Sequence, residues 1–196
     1  MPSFLSLTRL LIIVNVLVYG LQALAPDEML YYFALWPLNS SPPEGAPFQV
    51  WQLLTYGFLH GPWYHIAMNM WALFIFGEDV ERAIGVKRYA GLYFTSLITA
   101  ALTQLAFSWF AGMPPFATVG ASGAVFGVLM GFAMYYPKRI IVLIIPPIPL
   151  PARVFVVLYA ALELYLGVTG SQEGVAHFAH LGGLIGAWFF LRRRTA

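Results

Sequence analysis

Gly120-Ala121-Ser122-Gly123 places a serine between small residues, directly before an apolar run at residues 124–130 (AVFGVLM). Serine is a poor nucleophile until a base takes its proton, so this stretch alone indicates little. The stretch becomes informative together with the four histidines of the chain, because so apolar a chain offers them almost no polar surroundings. The sequence therefore predicts that Ser122 is a nucleophile at the start of a helix inside a membrane.

The composition is typical of a membrane protein. Of the 196 residues, 60% are hydrophobic and 9% are charged, and the mean hydropathy is +0.76, whereas soluble domains carry about a quarter charged residues. The absence of cysteine excludes disulfides, thiolate metal sites and cysteine nucleophiles. We expect an all-α fold in which residues 1–196 form one integral membrane domain in the lipid bilayer, with no nucleic-acid partner.

Six apolar segments approach or reach the ~20 residues that a helix needs to cross a bilayer. The first is interpreted as a span rather than a cleaved signal peptide, because Arg9 is its one positive charge and Pro26 would follow the cut. The aromatic-rich connection 27–50 is predicted to lie in the membrane interface, and the prolines of 146–151 predict a loop. The predicted spans are 7–25, 63–80, 89–110, 122–136, 152–168 and 175–191.

The charged residues are segregated by this six-span arrangement. Loops rich in Lys and Arg face the cytoplasm, which places both termini there. The opposite loops contain Asp27, Glu28, Glu44 and Glu173 and no basic residue. A five-span or seven-span arrangement would mix the charges. The ten basic residues fall at the termini, in the loop between spans two and three, and in the loop between spans four and five. They are Arg9, Arg82, Lys87, Arg88, Lys138, Arg139, Arg153, Arg192, Arg193 and Arg194.

With this topology, all four histidines lie near the outer end of the bundle, at the depth of the candidate nucleophile. His60 and His65 are at the start of span two, and His177 and His180 are at the start of span six. Asn69 is four residues after His65 and shares its helix face. Polar groups at such a depth usually face the bundle interior or a water-filled cavity. The sequence therefore predicts one shared polar site.

Small residues at four-residue spacing predict where two helices approach closely, because they let backbones come together in lipid. We expect this approach to bring Ser122 and His180 together, since each lies just outside a glycine stripe. The stripes are Gly123, Gly127 and Gly131 on span four and Gly182 and Gly186 on span six.

Histidine has the pKa that a base for serine needs near neutral pH. Spans four and six contain no Asp or Glu, so the sequence predicts a Ser–His dyad whose imidazole is oriented by packing. Glu163, about 7 Å along span five from its outer end, is interpreted either as lining a substrate path or as a hydrogen-bonded buried carboxyl. The candidate donors to an oxyanion are the Ser122 backbone N–H, His65 and Asn69.

Taken together, these residues resemble the rhomboid family of intramembrane serine proteases in its six-span bacterial form. The resemblance covers the chain from about Leu35 onward. The motifs that carry it are Leu35-Trp36-Pro37, Trp51-Gln52-Leu53-Leu54-Thr55, His60, His65-Ile66-Ala67-Met68-Asn69-Met70, Phe76-Gly77-Glu78, Glu81, Gly85, Arg88-Tyr89, Gly120-Ala121-Ser122-Gly123 and Ala179-His180-Leu181-Gly182-Gly183.

The resemblance implies that Ser122 is the nucleophile and His180 the general base, with His65 and Asn69 stabilising the oxyanion. Phe126 corresponds to an aromatic position that packs on the imidazole. The resemblance also implies that span five moves to admit a substrate segment. The glycines expected to pack near the site are Gly120, Gly123, Gly127, Gly182 and Gly183.

Two further positions are interpreted through this resemblance. Gly182-Gly183 follow in the family's register after His180, which assigns the base to that histidine, while His177 either lines a cavity or is a polar helix start. Gln52 stands where many relatives carry arginine. With a neutral residue at this position, charge-based anchoring of the connection between spans one and two (the 1–2 connection, residues 27–50) is not expected.

The implied substrates are transmembrane proteins, cleaved where helix-weakening residues lie near the outer end of a span. No cofactor and no metal is expected, and the expected location is the bacterial inner membrane. The alternative is a non-proteolytic membrane protein that binds a metal or haem through its histidines, or a transporter. Neither a His-Glu-x-x-His motif nor an inverted repeat supports that alternative.

Overall fold

The computed structural model describes residues 6–112, 116–143, 146–170 and 176–192. The first helix, α1, covers Leu7–Gln22. Its N-terminus is held by Glu81, whose carboxylate accepts hydrogen bonds from the Leu7 and Thr8 N–H groups at 2.8 and 2.9 Å. A carboxylate here satisfies N–H groups that have no partner within the helix, and it complements the helix dipole.

Residues 27–50, which the sequence predicts as an interfacial loop, begin instead with a helix. α1 ends at Gln22 rather than at Ala25, and α2 (Pro26–Phe33) starts at the proline that directly follows the predicted span. Proline suits the first helical turn because no N–H is needed there. α2 exposes the aromatic side chains of Tyr31 and Tyr32, as expected of a segment at a membrane interface.

A short helical turn leads into the second long helix. α3 (Gln52–Thr55) and a 3₁₀ turn (Tyr56–Phe58) precede α4 (Trp63–Ala72). α4 continues through one π-helical turn (Leu73–Gly77) into α5 (Glu78–Ile84). The chain is therefore helical throughout the predicted second span.

The third and fourth spans agree with the prediction to within three residues. They are α6 (Val86–Ala111) and α7 (Ser122–Tyr135). Ten of the 14 residues of α7 are buried, and an apolar helix buried on all sides lies in the core of its bundle. Ser122, the first residue of α7, is therefore presented from the centre of the protein.

The described part of the chain is not entirely helical. β1 (Ile140–Val142) pairs antiparallel with β2 (Pro149–Pro151), with Ile141 opposite Leu150. In a two-stranded ribbon both strands are edges, and proline is tolerated on an edge because one side of the strand needs no N–H donor. The all-α prediction is correct for the bundle and wrong for this hairpin, which lies where the prolines predict a loop.

α8 (Ala152–Thr169) and α9 (His177–Arg192) correspond to the predicted fifth and sixth spans. α9 packs chiefly against α6 and α7, and α8 lies against α9 and α7. Some residues used in the predictions lie outside the described residues: Glu173, Val175, Arg193 and Arg194.

The bundle presents an apolar outer surface. Two of the described helices, Val86–Ala111 and Ala152–Thr169, are long and apolar enough to cross a membrane, and α1 and α7 are shorter apolar helices. Extensive exposed apolar surface of this kind indicates contact with lipid. Large exposed apolar side chains occur on α1, the π-helical turn, α6, α8 and α9, for example Leu17, Phe74, Leu102, Val157 and Ile185.

Charged residues gather at the end of α7 that is remote from Ser122. The hydroxyl of Tyr136, just after α7, donates to the Asp79 carbonyl at 3.2 Å. The Asp79 carboxylate pairs with Arg82 and, at 2.6 Å, with Arg139. Two arginines from other segments of the chain take part in this ion network. These are Arg139 and Arg9, which lies 2.6 Å from Glu78.

Candidate active site

Ser122 and His180 are far apart in sequence and meet where α7 and α9 begin. Ser122 is the first residue of α7, and His180 lies in the first turn of α9. His180 Nε2 is 2.8 Å from Ser122 Oγ, within the hydrogen-bond reach that a nucleophile and its base require. His180 is buried, and Ser122 is half-buried. The structure thus brings the predicted pair into contact.

Phe126 lies one turn after Ser122 and stacks on the imidazole of His180. The ring centroids are 4.3 Å apart and the ring planes differ by 7°. Tyr159 of α8 also packs on Phe126, at a centroid distance of 4.9 Å. These contacts fix the plane of the His180 ring, in agreement with the packing role that the resemblance implies for Phe126.

The structure corrects the prediction that no acid lies within reach of His180. Glu163 of α8 is only 4% exposed, and its Oε2 is 2.9 Å from His180 Nδ1. The same oxygen is 2.7 Å from His177 Nδ1. Because a carboxylate only accepts hydrogen bonds, each Nδ1 carries a proton. His180 Nε2 then faces Ser122 with its lone pair, and three side chains form one hydrogen-bonded chain.

The hydrophobic periodicity of α8 does not reveal this contact, because the contact depends on how α8 is rotated against α9. The interpretation of Glu163 as a hydrogen-bonded buried carboxyl is confirmed. A usable signal is present in the sequence all the same. Glu163 is the one acidic residue of an apolar helix, and a buried carboxyl needs partners. His177 and His180, one turn apart near the start of the next helix, are the nearest polar candidates along the chain.

His65 presents a hydrogen-bond donor beside the nucleophile. Gly120 has φ = +124°, a region that favours glycine, and a Cβ added there would lie 2.7 Å from His65 Cε1 and 2.8 Å from its Nε2. The Gly61 N–H donates to His65 Nδ1 at 3.4 Å, so the ring proton is on Nε2. A donor at this position suits an oxyanion that forms next to Ser122.

Asn69, the other predicted oxyanion donor, is buried one turn after His65. Its Nδ2 donates to the His65 carbonyl at 3.1 Å. An amide nitrogen has two hydrogens, so one remains for a further acceptor. The contact described for Asn69 lies within α4, and a role at the oxyanion stays a prediction.

The segment before Ser122 is tied down by backbone hydrogen bonds. Leu35 and Thr118 exchange two of them, at 3.0 and 2.9 Å, and the Gly120 N–H donates to the Tyr56 carbonyl at 3.0 Å. The buried Tyr56 hydroxyl in turn donates to the Leu97 carbonyl at 2.8 Å. The loop that presents the nucleophile is therefore fixed to the 1–2 connection and to α6.

Gly183, rather than the predicted stripe of Gly182 and Gly186, makes the close contact between α9 and α7. A Cβ on Gly183 would overlap the Gly123 carbonyl, whereas Gly182 and Gly186 face threonine side chains of α6. Residues four apart share one helix face, and Gly183 points about 100° away from it. Because of this offset, α9 can touch two helices at once. Gly127, predicted near the site, packs one turn further along α7 against Ser96.

His60, one of the four histidines near the outer end of the bundle, supports the start of α7. It is fully buried, and its Nε2 accepts from the Ala121 N–H at 3.5 Å. The side-chain amide of Gln22 bonds both the N–H and the carbonyl of His60, at 3.0 and 2.7 Å. Burial lowers the pKa of His60 to about 4, so its ring is neutral near pH 7 and able to accept.

Gln52 anchors the 1–2 connection without a charge. The side chain is fully buried, and its Oε1 accepts from the Trp36 and Gln49 N–H groups at 3.3 and 3.2 Å. Its Nε2 lies 3.4 Å from the Pro47 carbonyl and 3.5 Å from that of Tyr32. An amide can donate and accept at the same time, so one neutral side chain holds several turns of this segment.

Three groups at the site could bind a metal ion. Glu163, His177 and His180 each offer a ligand atom, and these atoms lie within 4.8 Å of one another. Carboxylate oxygen and imidazole nitrogen are ligands that zinc accepts. The Nδ1 atoms of both histidines are already hydrogen-bonded to the carboxylate, whereas the buried Nε2 of His177 has no hydrogen-bond partner among the described residues.

Comparison with known proteins defines the class to which this helical bundle belongs. Residues 47–193, three quarters of the chain, match the family model of the Rhomboid domain. Rhomboid protease AarA of Providencia stuartii is 31% identical over an alignment of 208 positions, which covers 92% of this chain and 69% of that protein. Rhomboid protease GlpG of Serratia proteamaculans is 28% identical over 174 residues, which cover 87% of this chain and 56% of that protein.

A eukaryotic relative shows the same similarity over a shorter stretch. Rhomboid protein 1, mitochondrial, of Saccharomyces cerevisiae is 33% identical over 131 residues, which cover 64% of this chain and 36% of that protein. The chain spans a quarter to a half of the length of several curated relatives. These matches define a class of integral membrane proteins built on a helical bundle. The chain belongs to the rhomboid family.

Proposed function

We propose that this chain is an intramembrane serine endopeptidase that cleaves transmembrane segments of other membrane proteins near their outer end. The observation that carries the proposal is the 2.8 Å contact between Ser122 Oγ and His180 Nε2 in a rhomboid-family bundle. Three relatives, AarA, GlpG and GluP, are named rhomboid proteases, which supports the same activity here.

The reaction proceeds through an ester on the serine. Ser122 Oγ attacks the carbonyl carbon of the scissile peptide bond while His180 Nε2 takes its proton. The C–N bond then breaks, and His180 passes the proton to the departing amine. Water next attacks the ester, gives a proton to His180, and releases the new carboxylic acid as Ser122 recovers its hydroxyl hydrogen.

Negative charge develops on the carbonyl oxygen in both attacks and needs donors in place beforehand. The Ser122 backbone N–H lies at the N-terminus of α7, where the helix dipole also favours negative charge. His65 Nε2–H and the second Asn69 Nδ2 hydrogen complete the set. Loss of one such donor typically lowers kcat by roughly 10²–10³.

The bundle crosses the membrane six times, with both termini in the cytoplasm. The arginines gathered around Asp79 support this orientation, because basic residues concentrate on the cytoplasmic side. α7 has 14 residues, about 21 Å at 1.5 Å per residue, against a hydrocarbon core of about 30 Å. With its C-terminus at the cytoplasmic surface, Ser122 lies several ångström below the outer surface. The bacterial inner membrane is the proposed location.

The position of the serine defines the substrate class. A transmembrane helix keeps its carbonyl oxygens in hydrogen bonds because lipid offers no other donors. A scissile bond must therefore leave the helix before Ser122 can reach it. Segments with glycine or other helix-weakening residues near the outer end are the favoured substrates, since glycine costs a helix about 1 kcal/mol relative to alanine.

The test is cleavage of a single-span protein in liposomes by the wild type and by the Ser122→Ala and His180→Ala variants. We expect the wild type to cut and both variants to lose activity while retaining the wild-type thermal transition. Cleavage by Ser122→Ala would exclude Ser122 as the nucleophile. A bound metal in stoichiometric amount, together with no cleavage, would favour the metal-binding alternative that Glu163, His177 and His180 permit.

A further inference from the structure

One carboxylate oxygen links both histidines of α9. Glu163 Oε2 is 2.7 Å from His177 Nδ1 and 2.9 Å from His180 Nδ1. All three side chains are buried, so water does not compete for these bonds. Buried polar groups that satisfy one another hold each other in a single arrangement.

This arrangement fixes which nitrogen of His180 is basic. A neutral imidazole carries its proton on one nitrogen, and the hydrogen bond made by the other nitrogen decides which. With Nδ1–H donated to Glu163, the lone pair is on Nε2, which faces Ser122 Oγ at 2.8 Å. In the opposite tautomer Nε2 would donate to the serine and could not take its proton.

We propose that Glu163 is a positioning residue for the reaction: it holds His180 in the tautomer and rotation that deprotonate Ser122, and it stabilises the imidazolium that forms. This inference rests on the proposed serine protease function. It extends the predicted dyad into a Ser122–His180–Glu163 chain whose acid comes from a different helix, α8. The functional roles match those of a serine–histidine–acid triad.

His177 holds the carboxylate in place. Its Nδ1 makes the shorter of the two bonds to Glu163 Oε2, and its ring is 6.4 Å from that of His180 in an edge-to-face arrangement. A carboxylate with a second donor is less free to rotate away from the base. His177 is therefore a support for Glu163 rather than a second base, since its described contacts do not include Ser122.

The orientation of the base depends on how α8 packs against α9. Among the 18 residues of α8, Ala152, Val156 and Glu163 are buried, so Glu163 is the buried residue of its second half. Nearby, Gly167 lies against α9, where an added Cβ would be 3.2 Å from His177 Cβ. Moving this half of α8 away from α9 would withdraw the carboxylate from both histidines.

The test compares Glu163→Gln, Glu163→Asp and the exposed control Glu44→Gln. The readout is the second-order rate at which a fluorophosphonate reacts with Ser122, which requires the base but no transmembrane substrate. We expect Glu163→Gln to lower this rate by roughly 10²-fold, within the range of general-base catalysis. Glu163→Asp should recover part of it, and Glu44→Gln should match the wild type.

Two further measurements separate positioning from a general loss of structure. For cleavage of a single-span substrate, Glu163→Gln should lower kcat and leave KM nearly unchanged. In wild-type protein labelled with ¹⁵N-histidine, the His180 resonances should show a protonated Nδ1. A folded Glu163→Gln variant that reacts at the wild-type rate, or a His180 that is protonated on Nε2 instead, would overturn the inference.

The outcomes also distinguish this inference from the proposed function. If the wild type and Ser122→Ala react equally with the phosphonate, the protease assignment fails, and the positioning role fails with it. If the wild type reacts at Ser122 and Glu163→Gln reacts equally fast, the protease assignment stands and only the role of Glu163 is lost.

Discussion

Gly183 of α9 lies directly against the backbone carbonyl of Gly123 on α7, with no space for a side chain between them. This contact sets the distance between two helices that begin with the candidate base and the candidate nucleophile. Closely packed cores accept added atoms only by shifting backbones, at a cost of typically 1–3 kcal/mol. The separation of Ser122 and His180 therefore depends on the size of residue 183.

Gly183→Ala is expected to destabilise the protein by about 1–3 kcal/mol and to reduce phosphonate labelling of Ser122. Gly20→Ala is the matched control, because Gly20 lies in a helix with open space around it and alanine there should be neutral or stabilising. Thermal unfolding in detergent measures the first effect. Wild-type stability and labelling in Gly183→Ala would show that the helices do not depend on this contact.

Asn69→Ala tests the oxyanion assignment. The variant removes a donor that we place on the developing oxyanion, so kcat for a single-span substrate should fall by roughly 10²-fold with little change in KM. The exposed Asn39→Ala variant serves as the control. If Asn69→Ala changes KM and leaves kcat intact, its side chain contacts the substrate in the ground state and does not stabilise the oxyanion.

Gln52→Ala should loosen the 1–2 connection. The Trp36 and Gln49 N–H groups would lose their acceptor, and each buried group left without a partner costs about 1–3 kcal/mol. We expect a lower thermal transition and faster proteolysis between α2 and α3. Protease sensitivity equal to that of Asn39→Ala would contradict the anchoring role of Gln52.

Glu81→Ala should destabilise α1. The carboxylate accepts from two backbone N–H groups and from the Thr8 hydroxyl, and hydrogen bonds to a charged group contribute about 1.5–3 kcal/mol each. The expected result is a lower midpoint of unfolding in detergent with an unchanged rate of Ser122 labelling below that midpoint. Glu44→Ala, in an exposed loop, should leave the midpoint in place.

Gly167→Leu tests, with a substitution outside the site, whether the packing of α8 against α9 orients the base. Its side chain would be forced against Phe178 and His177, which should push α8 from α9 and separate Glu163 from both histidines. Ser122 labelling should then fall as it does in Glu163→Gln. Gly20→Leu, which points into open space, should have no effect, and an active Gly167→Leu would show that the base is oriented without α8.

Much of the fold follows from the sequence because lipid-facing and core-facing helices are both continuously apolar. The starts of α7 and α8 were predicted to the residue and the start of α6 to within three. The helix at Pro26 and the hairpin at Pro149 were missed. At both places proline disfavours a continuous helix, but it is also favoured in a first helical turn and tolerated on an edge strand.

The site was only partly predictable, because one of its contacts depends on how a helix is rotated rather than on local features of the sequence. Ser122 and His180 were paired from their depth and from their adjacent glycines, which are local features of the sequence. The sequence also predicts that Glu163 lies near the outer end of its span. Its contact with His180 depends on the rotation of α8 about its own axis. The apolar residues of α8 do not encode this rotation, and only the single acidic residue indicates which side of the helix faces inward.

The most direct test of the central claim is to treat the purified protein with a fluorophosphonate and locate the adduct by mass spectrometry, in the wild type and in His180→Ala. Our account predicts a single adduct on Ser122 in the wild type, formed at least 10²-fold more slowly in His180→Ala, as expected for loss of a general base. An adduct on another residue, or equal labelling of Ser122 in both proteins, would contradict it.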